Sequence, residues 1–270
     1  MKNAVLLAGC LLFLFAIAAH ASEDEFPLRK EFSELNPITI EDLHEKMNET
    51  VIVDVRSKFE FDTIHINGSE HIPVSNIDFS ETLEKVVPKG QKTAFYCNGH
   101  TCAKSYKAAR KALLLCYENV FVFDAGIFEW AKAHPEEATF LEKSPADREK
   151  LLLAKEDFSA KALEFADFKN KTSATDVVIV DIREPYQRSK ESDRSVKIEL
   201  PEMPAGIHYI PLDNFNKLTH KGIYKDKLLL IYDATGKQVK WLQYHLQDAG
   251  YKRYYFLKGG VYGVTGISTS

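Results

Sequence analysis

Cys97 and Cys102 carry the most chemistry in this chain. They lie in the stretch Thr93-Ala94-Phe95-Tyr96-Cys97-Asn98-Gly99-His100-Thr101-Cys102-Ala103-Lys104-Ser105. A short apolar run ends on Cys97. A polar loop follows, and a helical pattern (Tyr106, Ala108, Ala109, Ala112, Leu113) begins at once. A cysteine at a strand end, wrapped by a loop that opens a helix, faces backbone N–H groups and the positive end of a helix dipole. Both favour the thiolate, which is the nucleophilic form. Such a residue can carry an atom or group on sulfur. The amides of Asn98, Gly99, His100, Thr101, Cys102, Ala103, Lys104 and Ser105 can form a nest for an anion, with Gly99 easing the turn. Lys104 and His100 are the nearby cations, and Ser105 is placed to cap the helix and donate into the loop.

The elements that must hold this loop are announced by an internal repeat. Val51-Ile52-Val53-Asp54-Val55-Arg56 reappears as Val178-Ile179-Val180-Asp181-Ile182-Arg183. His71-Ile72-Pro73-Val74 matches Tyr209-Ile210-Pro211-Leu212, and Thr93 to Cys97 matches Leu229 to Asp233. Asn119 to Phe123 matches Arg253 to Leu257, and each copy closes on a glycine motif, Ala125 to Trp130 and Gly259 to Gly263. Unbroken apolar strands alternating with helical patterns predict βαβ units and parallel sheets covered on both faces. The fold class is α/β, with two doubly wound domains at residues 36–135 and 156–265. Each is expected to open with a helix, capped by Thr39 in the first copy and by Ser159 in the second. Residues 136–155 read as a charged linker with a short helix near 146–151. Residues 22–35 read as a loosely tied N-terminal arm.

With these pieces in order, twice, the chain resembles the rhodanese family of sulfurtransferases in tandem form. The resemblance rests on Asp54-Val55-Arg56, His65-Ile66-Asn67-Gly68-Ser69, Ile72-Pro73, Tyr96-Cys97 and Gly126 to Trp130. It implies a cysteine at the base of an anion-cradling loop that becomes a persulfide during turnover. The implied reaction takes a sulfane sulfur from a small anionic donor (thiosulfate, polysulfide or a thiol persulfide) to a thiol or cyanide acceptor. No cofactor and no metal is implied. Two departures stand out. Most members place Ser six residues after Cys, preceded by Arg; here Ser105 is eight after Cys97 and Lys104 stands before it, a point charge in place of a bidentate fork. The related phosphatases place Arg five positions after Cys, where this chain has Cys102. The second copy has Asp233 at the nucleophile position. A carboxylate cannot carry a sulfane sulfur and repels an anionic donor, so that copy is expected to be inactive. Familiar tandem members lose the first cysteine and keep the second; this chain inverts that.

Arg56 can lend positive potential to the pocket, but Asp54–Arg56 and Asp181–Arg183 persist in a copy without a nucleophile, which favours an ion-pair or turn role. His65 and His71 read as strand-end hydrogen-bonding groups, and Trp130 as core. Three readings of Cys97 and Cys102 stay open. Cys97 carries sulfur with Cys102 as neighbour or resolver; the two form a redox pair; or they close a structural disulfide in a non-catalytic binding or sensing protein. Cys116, on the apolar face Ala112 to Cys116, reads as a buried structural cysteine.

Residues 1–21 read as a secretory signal peptide: Met1-Lys2-Asn3, an apolar run over Ala4–Ala18, then Ala19-His20-Ala21 before the cut. Export to a periplasm-type compartment is expected, with lipoprotein anchoring through Cys10 as the second reading. No later segment is apolar enough to span a membrane. The net charge of −4 without a basic stripe gives no sign of nucleic acid. Of 4 cysteines, Cys10 would leave with the leader, and the odd remainder flags a reactive thiol.

Overall fold

A computed structural model gives the fold and describes residues 25–143 and 152–267. The expected leader, Cys10 and the expected helix at 146–151 lie outside the described residues. In the first repeat the strands are β1 (Asn36–Pro37), β2 (Val51–Asp54), β3 (Ile64–Ile66), β4 (Glu70–His71), β5 (Thr93–Tyr96), β6 (Val120–Phe123) and β7 (Ala138–Phe140). The helices are α1 (Leu28–Glu31), α2 (Ile40–Glu45), α3 (Lys58–Thr63), α4 (Phe79–Val86), α5 (Ala103–Leu114) and α6 (Gly126–Ala133). The second repeat has strands β8 (Ala162–Leu163), β9 (Val177–Asp181), β10 (His208–Tyr209), β11 (Leu228–Tyr232) and β12 (Tyr254–Leu257). Its helices are α7 (Lys155–Ser159), α8 (Phe165–Asn170), α9 (Leu212–His220), α10 (Gln238–Asp248) and α11 (Gly260–Thr265).

Each repeat builds a five-stranded parallel sheet. The orders β1-β6-β5-β2-β4 and β8-β12-β11-β9-β10 are the same topology. In the first sheet Asp54 pairs with Tyr96 and Tyr96 with Phe123, so three strands end in register. Val55, Cys97 and Asp124 therefore leave the sheet side by side at its carboxyl edge, with Arg56 one residue on, where open parallel sheets keep their binding crevices. Side-chain alternation along β5 sends Ala94 and Tyr96 to one apolar layer, Phe95 and Cys97 to the other. The Cys97 layer is closed by α4 and α5 through Phe79, Leu83, Tyr106, Ala108, Ala109 and Ala112.

The opposite layer of the first sheet is continuous with the α9/α10 layer of the second, so the two repeats share one apolar core. Helix α10 supplies most of the join. Trp241 stacks on Phe128 with ring centres 5.4 Å apart. Tyr244 meets Phe140 edge-on at 5.4 Å. His245 lies 4.6 Å from Phe59 and puts Nε2 2.9 Å from Thr63 Oγ1. Burial pushes the His245 imidazole down to about 4, and nearby His220 adds to the effect while Asp248 and Asp62 oppose it.

Several expectations change. Thr39 caps α2 as expected, accepting from the Asp42 amide at 3.1 Å. Ser159 does not cap the matching helix: Ala162–Leu163 forms strand β8, as Asn36–Pro37 forms β1, and α8 begins only after Glu164. From Phe26 to Leu35 the arm is packed onto the first repeat. Phe26, Phe32 and Leu35 are buried, and Arg29 forks onto buried Asp124 at 2.7 and 3.0 Å. Past residue 135, Ala138–Phe140 pairs antiparallel with β3 and buries Ala138 and Phe140. Cys116 is exposed. It sits at φ 62° just past α5, and the Cys116 and Tyr117 amides close a Schellman cap on Leu113 and Ala112. That cap swings Cys116 off the apolar face and puts Tyr117 into the core instead.

Gly126 and Gly260 occupy equivalent places, at φ 69° and 62°. A Cβ on Gly126 would stand 2.5 Å from the Gly99 nitrogen and 2.7 Å from the Cys97 carbonyl oxygen; one on Gly260 would stand 2.5 Å from Ala234 carbon. Gly68 has a similar φ of 70° but open space around it. We therefore expect Gly68→Ala to cost about 1–2 kcal/mol in urea unfolding, the left-handed backbone penalty alone. Gly126→Ala should cost roughly 1–3 kcal/mol more through overpacking against the loop. Equal losses would remove the close contact from the explanation. A second expectation concerns pH. His245 is held neutral in the fold, so its stabilising effect is complete above the unfolded pKa near 6.5 and is lost as pH falls toward about 4. His245→Gln should remove on the order of 2–3 kcal/mol of the wild-type stability loss across that window. Parallel pH profiles for the two proteins would refute this.

Candidate active site

Cys97 follows the central strand directly and is 1% exposed. Five residues later Cys102 ends the loop as the N-cap residue of the twelve-residue helix α5. The two are joined by a disulfide with Cα atoms 6.2 Å apart, within the ordinary span of such bonds. The loop is folded to allow it: the Cys102 amide donates to the Gly99 carbonyl at 2.8 Å, closing a turn. From the other side, the Ile127 amide donates to the Cys97 carbonyl at 3.0 Å, which ties the loop to the start of α6. The amides of Asn98, Gly99, His100 and Thr101 meet no acceptor among the described residues.

Over this loop lies a cleft of about 310 Å³, lined by Asn98 to Cys102 with Ala125, Phe128 and Glu129. Cys97 stands behind the lining, so Cys102 is the sulfur that faces the opening. Phe128 stacks on Trp241, so the second repeat braces one wall from behind. On another side the arm places Phe26 against the His100 ring at 4.3 Å.

The cations expected from sequence are arranged differently. Arg56 is wholly buried and does not face the cleft. Its Nε and Nη2 fork onto Asp54, Nη2 also donates to the Ile64 carbonyl at 2.5 Å, and Nη1 reaches Asn98 Oδ1 at 3.2 Å. Burial opposes the charge, but Asp54 outweighs it and keeps the guanidinium protonated. Arg56 thus holds the loop from below. The reason is the register of β2 and β5, which brings Asp54 level with Tyr96 and its neighbouring guanidinium under the first loop residue. Lys104 lies 3.6 Å from Glu60. Ser105 is buried in the first turn of α5 and does not cap it; its hydroxyl donates back to the Cys102 carbonyl at 3.4 Å. Ala103 begins the helix, and Thr101 is the exposed tip of the loop.

Glu60 is the site residue that sequence reasoning missed. Its Oε1 accepts from Asn98 Nδ2 at 2.9 Å, and its Oε2 accepts from the Ser57 hydroxyl at 2.7 Å. Burial would lift its pKa, yet Lys104, Arg56, Asn98 and Ser57 together hold Glu60 below the ordinary carboxylate range. Asn98 is therefore clamped between a guanidinium and a carboxylate, each matching one end of its amide. The capping-box pattern Ser57-Lys58-Phe59-Glu60 was the readable signal. Phe26 and Trp241 carried none. His65 Nδ1 bonds the Phe61 carbonyl at 2.8 Å and His71 Nε2 the Arg56 carbonyl at 3.1 Å, in the hydrogen-bonding role expected of them. Elsewhere, His44, His134 and Glu136 bring their ligand atoms within 4.8 Å of one another. The two rings are stacked at 3.8 Å and nearly parallel, so their in-plane lone pairs do not converge on one ion.

In the second repeat the same loop is closed from within. Asp233 is wholly buried, and its carboxylate accepts from the amides of Gly236, Gln238 (2.6 Å) and Val239 (3.2 Å). Burial pushes this carboxyl up, while those amides and that of Thr235 pull it down. The nest that could hold an anion in the first repeat is filled here by the chain's own carboxylate. A separate cleft of about 310 Å³ in this repeat is lined by Arg183, Leu200, Met203, Ile207, Tyr209 and Tyr232 among others.

Comparison with known proteins adds family context. The Rhodanese-like domain family model matches residues 39–133 and 164–266. The chain is similar to a probable adenylyltransferase/sulfurtransferase MoeZ of Mycobacterium tuberculosis, 31% identical over 101 residues, which is 37% of this chain and 25% of the relative. It therefore spans about a quarter of the length of the curated relatives it matches. Among solved structures, a thiosulfate sulfurtransferase from Pseudomonas aeruginosa aligns with 87% of this chain and 43% of its own at 19% identity and TM-score 0.36. A Bacillus halodurans protein aligns with 52% of this chain and 99% of its own at 24% identity and TM-score 0.38.

The filled nest makes a testable difference between the repeats. Asp233→Ala leaves several buried amides without an acceptor, and should destabilise the protein by on the order of 3 kcal/mol in urea unfolding. Added formate, a carboxylate small enough for the vacated space, should recover part of that in the variant and leave wild type unchanged. A neutral Asp233→Ala would mean the amides are satisfied by water and the carboxylate is dispensable.

Proposed function

The chain belongs to the rhodanese-like domain family, and from that premise we propose that it is a sulfurtransferase whose first repeat does the chemistry. The observation that carries this reading is the position of Cys97, at the end of the central parallel strand and beneath a loop of acceptor-free amides at the start of α5. In the reduced protein the Cys97 thiolate attacks the outer sulfur of a small anionic donor such as thiosulfate, polysulfide or a thiol persulfide. One S–S bond forms, the donor's S–S bond breaks, and sulfite, the shortened polysulfide or the parent thiolate departs, according to the donor. The Cys97 persulfide anion rests against the loop amides, which supply its electrostatic stabilisation, until a thiol or cyanide takes the outer sulfur. Arg56 and Glu60 act as positioning residues through Asn98. With Lys104 beside Glu60 and Arg56 turned onto Asp54, backbone amides carry most of the anion recognition. The second repeat braces the cleft wall and does no transfer. The apolar leader-like run fits export to an oxidising compartment, which we propose as its place of action.

The Cys97–Cys102 bond favours a second reading, in which the pair senses thiol redox state without transferring sulfur. One measurement separates them. After reduction, the Cys102→Ser variant treated with thiosulfate or inorganic polysulfide should gain one sulfur on Cys97, read by peptide mass. Cys97→Ser should lose sulfur transfer to cyanide by at least about 100-fold, as removal of a covalent nucleophile does, while Cys116→Ser stays near wild type. A reduced Cys97 that takes up no sulfur from either donor leaves the sensing reading in its place.

A further inference from the structure

The disulfide, the turn that makes it and the direction in which the cleft opens bear on what accepts the sulfur. In the disulfide form Cys97 stands behind the lining of the cleft and Cys102 within it, so the thiol placed nearest to a sulfur carried on Cys97 is Cys102. Its amide is fixed to Gly99, its carbonyl receives the Ser105 hydroxyl, and its Sγ already reaches Cys97 Sγ. Resting on the sulfurtransferase reading above, we propose that Cys102 is a second catalytic residue. It discharges the Cys97 persulfide within the loop, and the product is hydrosulfide.

The step balances. Cys97–S–S⁻ and Cys102–SH give Cys97–S–S–Cys102 and HS⁻. Cys102 Sγ forms a bond to Cys97 Sγ, the bond from Cys97 Sγ to the outer sulfur breaks, and the thiol proton leaves with the hydrosulfide. The outer sulfur is reduced by two electrons and the cysteine pair is oxidised by two. The observed disulfide is then the product state of the half-reaction. Its return to the dithiol consumes an external dithiol reductant, which supplies two electrons and two protons. The cleft presents the Cys102 side of the bond to that reductant, so attack falls on Cys102 Sγ. Cys97 leaves as the thiolate, in the place where the loop amides and the start of α5 receive negative charge.

The test uses reduced protein carrying Cys116→Ser, one equivalent of thiosulfate or inorganic polysulfide, no added thiol and no oxygen. Hydrosulfide is read with time and the cysteine state by non-reducing peptide mapping. With Cys102 present we expect one hydrosulfide per protein and a Cys97–Cys102 linkage. With Cys102→Ser, and equally with Cys102→Ala, release should slow at least tenfold and the extra sulfur should stay on Cys97. With Cys97→Ser neither sulfur uptake nor linkage should occur. If the protein with Cys102 instead keeps a stable Cys97 persulfide and a free Cys102 thiol, the discharge step is wrong while sulfur transfer stands. If Cys97 takes up no sulfur even in the Cys102 variants, the sulfurtransferase reading falls, and this inference with it.

Discussion

A guanidinium with no exposure must find an acceptor for its N–H groups inside the protein, and the way Arg56 does so organises the first repeat. Asp54 ends β2 and Arg56 lies two residues on, so the side chain folds back onto its own strand end, with the Arg56 amide also bonded to Asp54 Oδ1 at 2.9 Å. Two of the three remaining N–H groups have partners at the site. One fixes the Ile64 carbonyl and with it the entry to β3; the other fixes Asn98, the first residue after Cys97. Asp181 and Arg183 repeat the pair at the end of β9, buried to the same degree, but the Arg183 Nη1 goes to the Ile198 and Gln187 carbonyls. Buried ion pairs contribute little net stability when replaced whole and cost several kcal/mol when broken. What this one specifies is geometry. It sets the chain's exit from the strand, and only in the first repeat does it reach the loop after β5.

The second constraint is the demand of the loop's amides for negative charge. Both repeats lead a parallel strand into a helix through a glycine-containing loop, pinned by an amide donating to its first carbonyl: Ile127 to Cys97 and Val261 to Asp233, each at 3.0 Å. In the second repeat the acceptor is covalently built in, since the Asp233 carboxylate reaches the amides of Gly236, Gln238 and Val239. In the first repeat a thiolate or persulfide would have to serve. The oxidised pair is neutral, and the amides of Asn98 to Thr101 meet no acceptor among the described residues. One scaffold therefore supports two outcomes, and the residue after the central strand decides between them.

How much of this was legible in the sequence follows from how local each feature is. The repeat, the apolar strands, the Asp–Arg pairs and the strand-to-helix loop depend on short segments, and each formed where the pattern put it. Tyr96 shows why a two-residue motif can be informative. It points away from Cys97 into the other layer, where its hydroxyl accepts from the Ile66 amide at 3.1 Å and meets Ser69, linking Tyr-Cys to His65–Ser69. What was not legible depends on partners distant in the chain. Lys104 is a cation by type, but Glu60, 44 residues earlier, takes its charge. Arg29 and Phe26 look like an untethered arm until Asp124 and His100 are beside them. Cys116 lies on an apolar helix face in the sequence, but the helix ends at Leu114 and the cap turns Cys116 outward. The capping Ser159 failed for a related reason: an N-cap residue type was present, but the two-residue strand β8 pairs with β12 there, and sheet pairing overrode local propensity.

The second repeat is tied to the first by the same carboxylate that fills its own loop. Helix α10 carries Trp241, Tyr244 and His245 to the first repeat, and all three lie within its first eight residues. A helix start leaves its amides unpaired and frays unless something accepts from them. Asp233 accepts from Gln238 and Val239, the first two residues of α10, and so fixes this start from the strand that precedes it. Two residues on, Trp241 stacks on Phe128, whose other neighbours line the cleft beside Cys102, and its ring also lies 5.5 Å from the Arg56 guanidinium. A cysteine at 233 would have been a weaker acceptor for those amides and would have left the helix start dependent on a bound anion. An aspartate removes that dependence. The first repeat's cleft is thereby backed by a helix whose start is fixed by a carboxylate of its own chain.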